Sequence, residues 1–285
     1  MTAAVISRIL NTPDVLDDLA AREEAEARGE IYRRFHLAGT VPADAGQGDD
    51  ATLLATARAR LADRYRSSTG WTYDAALGDG RWVLRRDDGL TVTAAFGDIE
   101  GVDAGRVTLR LPGLEPGVMN GWLWFHGRNR PGDDEDLTLR IYLSLPGQER
   151  GRWWSTLVAH LDALDHVFSS KIIRRAGERG RPDGVVLYCR PHDLPGLLTE
   201  TARVLPAAEL GAHTAGFAVA VSEGVSVAVP QEGEDPQASM GMRRAEMIVK
   251  ALADGRRGEE AVAEVARVLE LQDAQVACLL RDAGI

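Results

Sequence analysis

A lysine in an arginine-rich part of this acidic chain is the first candidate for chemistry. Lys171 lies in the segment Phe168–Arg175 and precedes two isoleucines, which predicts that the edge of a strand carries it. Partial burial among arginines disfavours the ammonium form of a lysine, as a lysine base requires. The alternative is an ordinary surface lysine, which is the usual environment of this residue type.

A histidine in an aromatic segment is the candidate acid. In the run Trp122–His126 every second residue points to the same face of a strand, so Trp122, Trp124 and His126 share one face. A histidine there, followed by glycine and arginine, could lie at the mouth of a pocket. The alternative is a half-buried strand histidine that bonds to a backbone carbonyl.

Arginines in the second half of the chain could hold an anion, because guanidinium groups bind phosphate in a bidentate manner. One polar group, Arg140, Tyr142 and Ser144, alternates with Leu139, Ile141 and Leu143 in a strand-like stripe, which could instead face water. Another opens a helix at Ser239–Arg244, where backbone N–H groups also favour anions. The arginines that could bind phosphate include Arg140, Arg174, Arg181 and Arg244.

Composition and missing motifs narrow the chemistry. The net charge of −10 argues against a nucleic-acid partner. The sequence has no phosphate-binding P-loop, no dinucleotide fingerprint and no nucleophile elbow, and its six histidines lack metal-ligand spacing. We therefore expect neither a metal nor a nucleotide cofactor. Two cysteines, no apolar run of membrane-spanning length and no signal peptide predict a reduced, cytoplasmic protein.

Hydrophobic periodicity predicts an α+β fold, with a largely antiparallel sheet flanked by helices and with helical N- and C-terminal regions. Glycine-rich turns at Gly78–Gly80 and Asp87–Gly89 indicate hairpins. The predicted helices cover residues 15–28, 49–66, 153–167, 194–204, 241–253, 258–271 and 273–282. The predicted strands cover residues 71–76, 81–85, 90–95, 106–111, 121–127, 138–145, 184–189, 217–221 and 225–229.

Six short motifs in one order resemble the domain of the HopA-type bacterial type III effectors, over roughly residues 90–255. Related domains act in class V lanthipeptide and thioamitide biosynthesis. The motifs are the aromatic strand with His126, R-x-Y at Arg140–Tyr142, S-K-I at Ser170–Ile172, R-x-D at Arg181–Asp183, V-L-Y at Val186–Tyr188 and S-x-G-x-x-R at Ser239–Arg244.

The resemblance implies a phosphoserine or phosphothreonine lyase. Lys171 matches the base that removes the α-proton, and His126 matches the acid that protonates the departing phosphate. Arg181 and Arg244 would hold the phosphate, with Arg140 and Tyr188 beside them. The chain departs from the family pattern at Arg179, where a tyrosine is usual, and at Ser144, where an asparagine is usual.

The expected substrate is a phosphorylated precursor peptide, and a separate Ser/Thr peptide kinase is the expected partner, because no kinase motif occurs. The expected organisation is an N-terminal helical and hairpin region at 1–90, a lyase domain at 91–255 and a C-terminal helical pair at 256–285. Two alternatives stay open: an effector lyase acting on a host phosphoprotein, and a non-catalytic phosphopeptide-binding module.

Overall fold

Two antiparallel sheets organise the computed structural model of this chain. The structure describes residues 19, 21–41, 48–116, 120–129, 137–164, 166–230, 239–253, 267 and 274–281. The helices are α1 (Glu24–Ile31), α2 (Ala51–Leu61), α3 (Arg150–Ala163), α4 (Leu194–Val204) and α5 (Met240–Ala253). Residues 274–281 are also helical. The predicted α+β class with helical ends is confirmed.

The strands follow the predicted turns closely. They are β1 (Tyr65–Ala76), β2 (Arg81–Arg85), β3 (Thr91–Ala95), β4 (Ile99–Asp103), β5 (Arg106–Pro112), β6 (Leu114–Glu115), β7 (Trp122–His126), β8 (Leu139–Leu143), β9 (Phe168–Ile173), β10 (Val185–Cys189), β11 (Val219–Ser222) and β12 (Val225–Ala228). The sequence prediction missed β4 and β6, and it placed a strand at Lys171 without giving the bounds of β9. It extended α3 to residue 167, whereas the helix ends at Ala163 and β9 begins five residues later.

The first sheet has five strands in the order β3-β2-β1-β5-β4. Its hairpin turns use Gly80 and Gly89 at φ of 81° and 85°, a conformation that glycine adopts without steric cost. A small core of its own includes Trp71, Leu84 and Leu109. The predicted division at residue 90 stays a prediction, and that residue lies in the turn between β2 and β3.

The second sheet has seven strands in the order β11-β12-β8-β10-β9-β7-β6. One face packs against α2, α3 and α4 and forms the large hydrophobic core, in which Trp154 of α3 is fully buried and donates a hydrogen bond from Nε1 to Ser170 Oγ at 2.9 Å. The opposite face carries a smaller cluster around Tyr142, Val186 and Met240. That second face holds the polar residues singled out above.

The N-terminal helix differs from its prediction. Residues 15–18 lie outside the described residues, and α1 starts at Glu24 and passes into a π-helical turn at Tyr32–His36. Gly29 therefore lies inside the helix instead of ending it near Arg28. Burial of Ile31 and His36 explains the extension, because tertiary packing outweighs the weak helix propensity of one glycine. The predicted helix at 258–271 also lies outside the described residues, except for residue 267.

Candidate functional site

Two rows of side chains cross the seven-stranded sheet on the face opposite the large core. Strand register places each member of a row beside the next. The first row is His126, Ser169, Tyr188, Arg140 and Ala228, and the second is Trp124, Lys171, Val186, Tyr142 and Ser226. Lys171, His126, Arg140 and Tyr188, separated by up to 62 positions of chain between His126 and Tyr188, thus share one surface.

Lys171 lies in a cage of three aromatic rings. Its Nζ is 4.5 Å from the ring centre of Trp122, 5.2 Å from that of Trp124 and 5.4 Å from that of Tyr188. The residue is half-buried within β9 and has strands on both sides, so its strand location is confirmed, but the predicted strand edge is wrong. A single strand's sequence does not reveal how many neighbours it has.

Two opposing effects act on the charge of this amine. Burial, followed by the positive charge of Arg140, lowers the pKa of Lys171 to about 7. The negative faces of the surrounding rings favour the ammonium form and oppose that shift. An amine in this balance can hold or release a proton near neutral pH, unlike an exposed lysine.

Tyr188 is the cage ring that β10 supplies, and Arg140 lies beside it on β8. Arg140 Cζ lies 5.5 Å from the ring centre of Tyr188, and Arg140 is only 4% exposed. Burial raises the pKa of Tyr188 to about 12, so its phenol stays protonated and can donate a hydrogen bond. The alternative that the stripe Arg140, Tyr142 and Ser144 faces water is excluded, because all three are buried.

Arg181 and Asp183 form a buried ion pair beside the cage. Arg181 donates from Nε to Asp183 Oδ1 at 2.8 Å and from Nη2 to Asp183 Oδ2 at 2.9 Å, and Nη1 donates to Glu178. Burial by itself raises the pKa of Asp183. Arg181 and His36 outweigh burial and hold that pKa well below its ordinary value. Arg181 Cζ also lies 5.4 Å from the ring centre of Trp122, so the ion pair contacts one wall of the cage.

The N-terminal segment Glu24–His36, which comprises α1 and the π-helical turn, completes this ion-pair network. Tyr32 Oη lies 2.8 Å from both Arg181 Nη2 and Asp183 Oδ2, and His36 Nε2 lies 3.5 Å from Asp183 Oδ2. The His36 ring stacks between Tyr32 and Phe217, with ring centres 5.0 Å and 5.5 Å away. Burial lowers the pKa of His36.

His126 lies two residues along the strand from Trp124 and is diagonal to Lys171. Its Nδ1 is 3.0 Å from Ser169 Oγ, its Nε2 is 3.5 Å from Glu115 Oε2, and its ring stacks on Trp124. Burial by itself raises the pKa of Glu115. Hydrogen bonds with His126 and Arg66 outweigh burial and lower that pKa to about 2. An ionised carboxylate therefore lies beside Nε2 of His126. Its predicted role as the acid stays a prediction.

The segment Ser239–Arg244 joins parts of the fold. Arg244 is 1% exposed, and its guanidinium donates to the carbonyl oxygens of Phe217 and Val229. A Cβ on Gly241 would come within 2.7 Å of the rings of both His36 and Tyr32, so the glycine makes room for the N-terminal segment. The phosphate-binding role of Arg244 stays a prediction.

Arg174 follows β9 and points toward the chain before α2. Its Nη1 donates to the carbonyl of Pro116 at 2.8 Å, and its Nη2 donates to Asp49. These contacts tie three segments of the chain together. The predicted phosphate-binding role of Arg174 has no support from these contacts and stays a prediction.

Four residues of this site were missed by sequence reasoning: Tyr32, His36, Glu115 and Ser169. Tyr32 and His36 precede the motif-bearing region and carry no recognisable signal of their own. Ser169 could have been found, because it alternates with Lys171 in the segment before the two isoleucines. Finding Glu115 would require knowing that the two-residue strand β6 pairs with β7.

The fold and site define a class of α+β protein with a lysine caged on a sheet face. Residues 115–277 match the model of the HopA1 effector protein family. The match covers more than half of the sequence, so this chain belongs to the HopA1 effector protein family. No curated protein matches the chain.

Two solved structures are similar over most of their length. The effector protein from Pseudomonas syringae pv. tomato strain DC3000 is 16% identical, with a TM-score of 0.48 over 90% of this chain and 91% of that chain. The effector protein from Pseudomonas syringae pv. syringae strain 61 is 15% identical, with a TM-score of 0.48 over 92% of this chain and 95% of that chain.

Two kinds of feature are absent from the described residues. Within residues 19–41, 48–230 and 239–281, apart from their undescribed gaps, no helix combines the length and apolar character that crossing a bilayer requires. In the same part of the chain, no group of three or more His, Cys, Asp or Glu side chains could hold a metal ion.

Proposed function

We propose that this protein is a cytoplasmic phosphoserine/phosphothreonine lyase acting on a phosphorylated precursor peptide in ribosomal peptide natural-product biosynthesis, of the lanthipeptide or thioamitide kind. One observation carries the proposal. Lys171, half-buried in an aromatic cage, has a pKa lowered to about 7 and shares a sheet face with His126, Arg140 and Tyr188. A titratable amine perturbed by burial and a specific charge is a candidate catalytic base.

The proposed reaction is an elimination. Neutral Lys171 Nζ takes the α-proton of the phosphorylated residue, and the electrons of that C–H bond form the Cα–Cβ double bond. The Cβ–O bond breaks, and phosphate leaves with a proton from His126. The products are dehydroalanine or dehydrobutyrine in the peptide and inorganic phosphate.

Arg140 and Tyr188 are the best-supported phosphate ligands in this proposal. Tyr188 lies one strand away from Lys171, and Arg140 lies two strands away. A guanidinium can neutralise a departing phosphate, and a protonated phenol can donate a hydrogen bond to it. Arg181 and Arg244 already donate to Asp183, Glu178 and backbone carbonyls. Their contribution is better supported as shaping the site than as direct contact with phosphate.

A separate Ser/Thr peptide kinase is the partner we propose, because the substrate must arrive phosphorylated and the sequence has no kinase motif. One observation favours the alternative of a non-catalytic phosphopeptide-binding module. Both ring nitrogens of His126 contact protein groups, Ser169 and Glu115, as expected for a structural histidine. The other alternative, an effector lyase for a host phosphoprotein, differs only in its substrate.

The central experiment incubates the protein with synthetic phosphoserine and phosphothreonine peptides and follows their mass. Loss of a full phosphoric acid supports the lyase, whereas binding without a mass change supports the module. A folded phosphoprotein assayed in parallel tests the effector alternative. Turnover of the folded phosphoprotein but not the peptides would replace the precursor-peptide proposal.

Lys171→Ala should abolish elimination and leave phosphopeptide binding largely intact, because the base is lost while the phosphate ligands remain. The matched control is Lys250→Ala, since Lys171 and Lys250 are the only lysines in the sequence. Lys250 is exposed and pairs with Glu246 on α5. Elimination that survives Lys171→Ala would remove Lys171 as the base.

The pH dependence of kcat/KM provides a second test. The base must be neutral, so activity should rise with pH through about 7, the pKa of Lys171, and it should fall again at higher pH where His126 has lost the proton that it donates. A rising limb near the pKa of an ordinary lysine, about 10.4, would contradict the proposed base.

His126→Ala should slow phosphate elimination by roughly 100-fold or more if the imidazolium protonates the leaving group. The loss should be much smaller with a sulfated peptide, because sulfate leaves without protonation. His192→Ala is the control, since His192 is exposed. An equal loss with both leaving groups would assign His126 a structural role.

A further inference from the structure

A tyrosine outside the family match lies within the ion-pair network of the site. Tyr32 belongs to the π-helical turn that follows α1, whereas the matched region begins at residue 115. Its position is set by α5, where the bare backbone of Gly241 leaves room for the Tyr32 and His36 rings. The N-terminal segment therefore docks against the same sheet face that carries Lys171.

The hydrogen-bond roles of the Tyr32 hydroxyl are fixed by its two partners. An arginine can only donate, so the Tyr32 oxygen accepts from Arg181 Nη2 at 2.8 Å. The hydroxyl proton must then go to the ionised Asp183, whose Oδ2 is also 2.8 Å away. One hydroxyl group is thus hydrogen-bonded to both members of the ion pair.

This ion pair faces the caged lysine. Arg181 lies over Trp122, and Trp122 is the ring nearest to Lys171 Nζ. Asp183 favours the ammonium form of Lys171, and Arg181 disfavours it. The charged or titratable groups around Lys171 include His126 from β7, Arg140 from β8, Tyr188 from β10, and Arg181 and Asp183 from the turn before β10.

We propose that Tyr32 is a positioning residue of the Lys171 site, whose hydroxyl keeps the Asp183 carboxylate bound to Arg181 and keeps Arg181 against Trp122. Without that hydroxyl, the carboxylate loses a donor and its negative charge acts more strongly on Lys171. The inference rests on the proposed function only in calling Lys171 the base. The charge state of Lys171 tests it without any turnover.

The experiment measures the pH dependence of acetylation at Lys171 by acetic anhydride, read by peptide mass spectrometry. Lys250 is the only other lysine and serves as the internal reference in every sample. In the wild-type protein we expect half-maximal labelling near pH 7. Tyr32→Phe should raise that midpoint by roughly 0.5 to 1 pH unit, which lowers labelling at pH 7 roughly two- to fivefold.

Tyr73→Phe is the matched control, because Tyr73 is 48% exposed on the five-stranded sheet. An unchanged Lys171 midpoint in folded Tyr32→Phe would overturn the proposal. Asp183→Asn keeps the side-chain shape and removes the charge, so its midpoint should fall instead of rise. If Tyr32→Phe does not fold, an unchanged midpoint in Asp183→Asn overturns the proposal on its own.

Failure of the proposed function gives a different pattern. A protein that shows these opposite midpoint shifts but never releases phosphate from peptides would keep Tyr32 as a positioning residue and lose the lyase assignment. A protein that eliminates phosphate but shows no change of the Lys171 midpoint in either variant would keep the lyase assignment and lose Tyr32 as a positioning residue.

Discussion

Two arginine–aspartate pairs in this protein have the same spacing and opposite surroundings. Asp79 and Arg81 flank the start of β2 in the five-stranded sheet, and their side chains are 51% and 54% exposed. Arg181 and Asp183 precede β10 in the seven-stranded sheet, and their side chains are 11% and 6% exposed. In both pairs the arginine Nε lies 2.8 Å from a carboxylate oxygen.

The difference between the pairs lies in what surrounds them. Water solvates the pair in the hairpin turn, and exposed ion pairs of this kind contribute little to stability. The buried pair gains further partners, Tyr32 and His36 from a distant segment and Glu178 from the same loop. Removing one member of a buried pair leaves an uncompensated charge, which costs far more than the pair contributes. Three pairs of substitutions extend this comparison, each setting a residue at or near the Lys171 site against a residue of the same type elsewhere in the chain.

The largest effect is expected at the buried pair itself. Arg181→Ala leaves Asp183 and Glu178 without their main positive partner and should lower the free energy of unfolding by about 3–5 kcal/mol. Arg81→Ala should leave the urea midpoint close to that of the wild-type protein. Equal urea midpoints for the two variants would show that burial does not change how much an arginine–aspartate pair matters for the stability of this protein.

An intermediate effect is expected where α5 meets the N-terminal segment. Gly241→Ala adds a Cβ within 2.7 Å of two rings, and such overpacking should lower the free energy of unfolding by about 1–3 kcal/mol. Limited proteolysis should also release the N-terminal segment sooner. Gly29→Ala in α1 meets no atom within 4 Å, so it should stabilise the helix instead, by up to about 1 kcal/mol. Effects of the same sign would contradict the docking of Tyr32 and His36 against Gly241.

The smallest effect is expected at a single hydroxyl. Ser169→Ala removes the 3.0 Å contact with His126 Nδ1 in a buried setting and should lower the free energy of unfolding by about 1 kcal/mol. Ser67→Ala on the five-stranded sheet removes an exposed hydrogen bond to Glu100 and should change the unfolding midpoint less. Thermal unfolding of both variants at one pH makes the comparison.

The fold was predictable where local chemistry decides it. The turns at Gly80 and Gly89 specify hairpins because glycine adopts positive φ freely, and Asp50 caps α2 by accepting a hydrogen bond from the backbone of Leu53 at 3.2 Å. Strand β9 was predicted only as a strand edge at Lys171, without bounds, because its alternating pattern is interrupted by serines and a lysine that are polar yet buried or half-buried. Their burial depends on neighbouring strands that come from elsewhere in the chain.

The sequence by itself determined the α+β class, most hairpins and the shared face of Trp122, Trp124 and His126, since alternation and turn chemistry act between residues close in the chain. It also singled out Lys171 as a candidate. Only the tertiary structure decided what surrounds that lysine. Strand register brings Tyr188 and Arg140 beside it, and docking of the N-terminal segment adds Tyr32 to the Arg181–Asp183 pair. The energies that set the charge of a lysine depend on burial and on charges within a few ångströms, and these are properties of the folded chain.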